Sequence, residues 1–142
     1  KNTTEYSWLP ARDNNLWSTN GIASGQKTIY DPCPLGWRVP ARVAISESDD
    51  DSPWKGVAAP TSWSSGSDSS GANWGTNAKY PAAGSRSGSS GSIDYEGLRG
   101  FYWNASPYNY SASTLYFRSN SYISRSSSNN RANGISVRCV KE

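Results

Sequence analysis

No window of fifteen residues in this chain carries a clean 3.6-residue apolar period, and Gly (13) and Pro (8) interrupt it at short intervals. A long amphipathic helix needs that period, and Pro and Gly end or weaken helices. What remains is a fold of short strands joined by ordered loops. Strands are expected over residues 27–30, 100–105, 114–118, 122–124 and 134–140. In "GISVRCV" Ile135, Val137 and Cys139 alternate with Ser136 and Arg138, and Leu115 and Phe117 alternate with Thr114, Tyr116 and Arg118. Such alternation is the mark of a strand with one buried face. One or two helical turns are allowed in "PARVAISES", residues 40–48, where Pro40 suits a first helical position and Pro53 ends the run.

The chain is only 35% hydrophobic, with a mean hydropathy of −0.74. That balance leans toward disorder, but seven Trp and nine Tyr oppose it, because each aromatic buries a large area and disordered chains are poor in them. A single folded domain over residues 1–142 is expected. Within it, Thr61 to Gly91 reads as loop chemistry, with Trp63, Trp74 and Tyr80 plugging the loops onto the core. The start at Lys1 rather than Met suggests a mature or excised part of something longer.

Several function classes fit poorly. The net charge is +3, with Lys and Arg scattered rather than gathered in a stripe, so no nucleic-acid partner is expected. No apolar run reaches membrane length. There is no His, which removes Ser–His and Cys–His pairs and the commonest general base. Asp94 with Glu96, or Asp31 with Asp68, could be drawn as a carboxylate pair, but solvation is the default reading of each, as it is for the acidic run Glu47, Asp49, Asp50 and Asp51. No catalysis, metal or cofactor is expected. The two cysteines, Cys33 and Cys139, allow one bridge; across a loop of roughly a hundred residues the chain-entropy model rates it at about 4–5 kcal/mol. Two buried free thiols are the alternative.

From Phe101 to Glu142, ten Ser, six Asn and five Tyr make up half of the 42 residues. Antibody paratopes use the same residues: Tyr supplies rigid amphipathic contact area, and Ser and Asn supply adaptable hydrogen bonds. Arg99, Arg118 and Arg125 add charged anchors of the kind enriched at binding hot spots. An ordinary polar strand surface is the competing reading of this composition.

Four motifs occur in order: "KTIYDPCPLGWRVP" from Lys27, "YPAAGSR" from Tyr80, "GFYWNASPY" from Gly100 and "RANGISVRCVKE" from Arg131. Together they resemble the Fibrobacter succinogenes major paralogous domain of Bacteroidetes surface proteins and their phages. More narrowly, the chain is similar to the variable proteins of diversity-generating retroelements, in which adenine-directed mutagenesis turns Asn codons into Ser, Tyr, Thr, Arg and others. The resemblance implies an α+β, C-type lectin-like fold of short antiparallel strands with long ordered loops and little helix. It further implies an extracellular adhesin or receptor-binding domain, on a pilus tip, lipoprotein or phage tail fibre, that binds a protein or glycan on another cell.

Carried over position by position, the resemblance makes residues 95–130 a hypervariable display region. The ligand-binding positions are Tyr95, Leu98, Arg99, Phe101, Asn104, Ser106, Asn109, Tyr110, Ser113, Thr114, Tyr116, Arg118, Asn120, Tyr122 and Arg125. Gly100, Tyr102, Trp103, Leu115, Phe117, Arg131 and Cys139 are among the expected scaffold positions. Calcium-dependent lectins of this fold carry a Trp-Asn-Asp motif; "WNAS" has no Asp there. The alternative function is a structural module of a surface fibre or pilus with no dedicated ligand site.

Overall fold

A computed structural model describes residues 9, 11, 13–19, 25–41, 60–65, 70–74, 76, 78–119 and 122–142. Among them are ten strands and no helix: β1 (Trp37–Arg38), β2 (Ser62–Ser64), β3 (Gly71–Trp74), β4 (Ala78–Pro81), β5 (Ser85–Arg86), β6 (Ile93–Asp94), β7 (Arg99–Tyr108), β8 (Ser111–Arg118), β9 (Tyr122–Asn129) and β10 (Val140–Lys141). All strand pairs are antiparallel. The described fold is therefore β-rich. The helical turns allowed at 40–48 fall, from residue 42 onward, outside the described residues, as do Asp68 and the acidic run.

Two three-stranded sheets, β2-β3-β4 and β7-β8-β9, make the body of the molecule. Alternation along β8 sends Leu115 and Phe117 to one face, where they form a buried core with Tyr102 and Ala72. Trp63, Trp74, Tyr80 and Ile123 pack against that core. Phe117 is its centre: Trp74 meets it edge-on at 5.4 Å and Trp63 at 6.3 Å between ring centroids. Gly100 lies opposite Phe117 in the β7–β8 register, and a Cβ there would come within 2.0 Å of the Phe117 ring. Glycine at this position is what lets the ring lie flat against β7.

Three local expectations change. The 61–91 region carries β2 to β5 rather than loop alone, because Trp63, Trp74 and Tyr80 alternate toward the core from paired strands. Lys27 makes only an isolated bridge to Ser18, so no strand forms over 27–30. The 134–140 segment is not one strand either. It makes an antiparallel bridge from Gly134 to Arg86, a parallel one from Ser136 to Tyr102, and pairs as a strand only from Val140, opposite Arg38. Its hydrogen bonds go to three different elements, so no single ladder can form.

The Cys33–Cys139 disulfide is formed, with the Cα atoms 5.7 Å apart. It ties this C-terminal segment to the "DPCPLGW" loop, and β1–β10 pairing closes the same junction. Asp31 anchors the loop: its Oδ1 accepts the Cys33 amide at 2.8 Å and the Lys27 ammonium at 3.0 Å, and its Oδ2 accepts the Val39 amide at 2.9 Å. A buried carboxylate with three donors is a structural group. Its Asx contact to the residue two positions on is legible in "DPC".

Candidate functional site: the outer face of β7-β8-β9

The face of β7-β8-β9 opposite the core is set by register. Arg99 stands opposite Arg118, Phe101 opposite Tyr116 and Trp103 opposite Thr114. Arg118 in turn stands opposite Tyr122, and Tyr116 opposite Ser124. Because side chains alternate along a strand, these residues share one face while Gly100, Tyr102, Leu115 and Phe117 share the other.

The aromatic rings form a continuous row. Phe101 stacks on Tyr116 at 5.0 Å with an interplanar angle of 17°. Tyr95 adjoins Phe101 at 6.4 Å and Tyr122 adjoins Tyr116 at 5.6 Å. The Arg99 guanidinium carbon lies 3.7 Å from the Tyr95 ring centroid, and that of Arg118 lies 4.9 Å from the Tyr122 centroid. Tyr95 and Tyr122 are nearly half exposed, whereas Phe101 is buried beneath its neighbours as the floor of the row.

Tyr95 reaches this row from a tight turn in which its carbonyl accepts the amides of Leu98 and Arg99, both at 3.0 Å. Its φ is +62°, a left-handed conformation uncommon for a bulky residue. The turn packs onto Gly84, where a Cβ would lie 2.3 Å from the Asp94 carbonyl oxygen. At the far end, Asn109 and Tyr110 form the two-residue connection between β7 and β8. Asn109 has φ +49°, which Asn tolerates better than most residues.

The expected ligand-binding positions divide. Tyr95, Arg99, Phe101, Tyr116, Arg118 and Tyr122 come together on the outer face. Leu98, Asn109 and Tyr110 are exposed at its two ends. Asn104, Ser106, Ser113 and Thr114 are buried and present no surface to a partner. Arg125 is half-buried, and its Nε has no hydrogen-bond partner. Asn120 lies outside the described residues.

Asn104 and Ser113 have the parity of Tyr102 and Leu115 and so face inward, Thr114 shares the outer-face parity but is covered there, and Ser106 lies within a bulge. Pairing steps from Trp103–Thr114 to Pro107–Ala112, so Asn104, Ala105 and Ser106 face the single residue Ser113. Asn104 follows Tyr102 on the inward side by alternation, and its Nδ2 donates to Ser113 Oγ at 3.2 Å. Pro107 is the sequence signal for the bulge, since proline within a strand is confined to edges and bulges. Beside the bulge a pocket of about 280 Å³ is walled by Trp17 and Trp103, among others. Arg131 closes its rim, donating to the carbonyls of Ser111 at 2.8 Å and Asp13 at 3.0 Å and to Asn14 Oδ1 at 2.7 Å. Among the described residues no group of three or more Cys, Asp or Glu side chains could hold a metal ion.

A protein-family model matches residues 42–140, which span β2 to the first residue of β10 and include the whole outer face. The chain belongs to this family, a domain of unknown function, DUF8237. No curated protein matches the chain, and no solved structure does. The disulfide points to an oxidising, extracellular setting. No helix of the described residues is long and apolar enough to cross a membrane.

Proposed function

We propose that this chain is an extracellular ligand-recognition domain of C-type lectin type, and that the outer face of β7-β8-β9 is its recognition surface. In this reading the face is diversified by a retroelement and displayed on a bacterial surface or virion tip. The observation that carries it is the convergence of Tyr95, Arg99, Phe101, Tyr116, Arg118 and Tyr122 on one accessible sheet face, with the scaffold residues Tyr102, Leu115 and Phe117 on the other. A sheet held rigid by a buried aromatic core can change its outward side chains at little cost to stability, as a diversified surface must. An accessible sheet face suits a protein or glycan surface better than an enclosed small molecule.

Sequencing this gene in sibling isolates tests the reading. Substitutions should concentrate at the outward positions of 95–130, most of them explained by adenine changes, with a reverse transcriptase gene nearby. Substitutions spread evenly over inward and outward positions would sink it.

A further inference from the structure

Arg99 and Arg118 are direct cross-strand neighbours on the outer face. Like charges placed opposite one another across a sheet are destabilising. Nothing nearby neutralises them: the only ion pair among the described residues is Lys27–Asp31. Among the described residues no side-chain hydrogen bond occupies either guanidinium. Each guanidinium carbon instead lies over a tyrosine ring, that of Arg99 over Tyr95 and that of Arg118 over Tyr122. A guanidinium placed over a ring keeps N–H donors available to a partner.

Two adjacent forks of donors with no acceptor of their own match a carboxylate, which can take paired N–H bonds from one or both. The surroundings narrow the source. One face of each of the Tyr95 and Tyr122 rings, where a sugar C–H face could stack, is already taken by a guanidinium. What the face offers is N–H donors and phenol hydroxyls on an aromatic floor, the arrangement of protein-binding hot spots. We infer that the Arg99–Arg118 pair receives an Asp or Glu carboxylate from a partner protein. This rests on the reading of the outer face as the recognition surface and assigns the chemistry of its ligand.

A glutamate octapeptide titrated into the 15N-labelled protein at low salt tests the assignment. The peptide should shift the side-chain Nε–H signals of Arg99 and Arg118, and a glutamine octapeptide should not. A charge-assisted contact of this kind predicts at least a tenfold weaker affinity in the Arg99→Gln/Arg118→Gln double variant. The Arg99→Lys/Arg118→Lys variant keeps the charge but loses the fork, and should bind several-fold more weakly than the parent. Both residues lie at the surface, and retained amide dispersion confirms that each variant is folded.

Equal shifts from the glutamine peptide, or unchanged affinity in the glutamine double variant, would overturn the assignment. So would a hyaluronan octasaccharide that binds more tightly and displaces the peptide, which would move the ligand to acidic glycans. The sibling-gene comparison is independent of these titrations. Variation confined to the outer face, with no peptide response, would leave the recognition surface standing and remove only the carboxylate partner.

Discussion

Tyr95 and Tyr102 show how the same residue type serves opposite ends at neighbouring positions. Tyr95 accepts a left-handed backbone, at a cost of about 1–2 kcal/mol, and in exchange lies under Arg99 at the edge of the outer face. Tyr95→Asn should relieve part of that strain and leave stability equal or up to about 1 kcal/mol higher in urea unfolding, while weakening capture of an acidic peptide. A loss of more than that amount would mean that the ring, rather than the turn, holds the segment. Tyr102 is buried in the core and donates its hydroxyl to the Pro81 carbonyl at 2.9 Å. Burial pushes its pKa up to about 12 from 10, partly offset by the nearby Arg138 charge. The unfolded chain loses this proton near pH 10 and the folded chain holds it to about 12, so the contribution is complete below pH 10 and is lost across that window. Its full size is roughly 2–3 kcal/mol. Urea unfolding of the parent between pH 9 and 12 should fall more steeply than that of Tyr102→Phe, and parallel curves would rule this contribution out.

At the scale of the element, the outer face is a matter of register. β7 and β8 share a two-residue connection, and each step of pairing from Arg99–Arg118 to Trp103–Thr114 keeps charged and aromatic side chains outward. Asn104 continues the inward row of Gly100 and Tyr102, and beyond Trp103 the bulge interrupts the pairing until Pro107. Gly100 holds the register at the other end, because only a residue without Cβ admits the Phe117 ring. Gly100→Ala should destabilise the protein by about 1–3 kcal/mol, overpacking the contact with the Phe117 ring. A change below 1 kcal/mol in chemical denaturation would show that β7 can move away from Phe117 at little cost. Alternation in Thr114–Arg118 was readable directly from the residues. The bulge was not: Pro107 signals an irregularity but does not say how many residues it takes up.

Across the whole molecule, β1–β10 pairing and the Cys33–Cys139 bond tie the Cys33 loop to the C-terminal segment, whose Ser136 bridges to the edge of β7 and whose Gly134 bridges to Arg86. In the chain-entropy model a cross-link over so long a loop contributes by restricting the unfolded state. Replacing both cysteines by serine should therefore cost about 2–5 kcal/mol and lower the thermal midpoint, with the outer face still able to bind well below the transition. The Asp31–Lys27 network holds the same loop without the bond, so the reduced protein should remain folded at low temperature. Calorimetry of the Cys33→Ser/Cys139→Ser variant measures both effects.

The amino-acid sequence by itself determined the β-rich class, through the missing helical period, and the inward role of Leu115 and Phe117, through alternation. It also pointed to the pairing of two cysteines and to the concentration of Tyr, Ser, Asn and Arg in residues 95–130. Each of these is local, or concerns one possible pair. Only the tertiary structure decided that the 61–91 region pairs into strands, because its Gly- and Ser-rich residues are silent until Trp63, Trp74 and Tyr80 find Phe117. It also decided that Ser136 and Gly134 bridge to different elements, and that Ser106 and Thr114 are covered while Tyr95, Arg99, Tyr116, Arg118 and Tyr122 share an accessible face around the buried Phe101. Period 2 says which side chains leave a strand on the same side. What lies against that side depends on contacts between residues far apart in the chain.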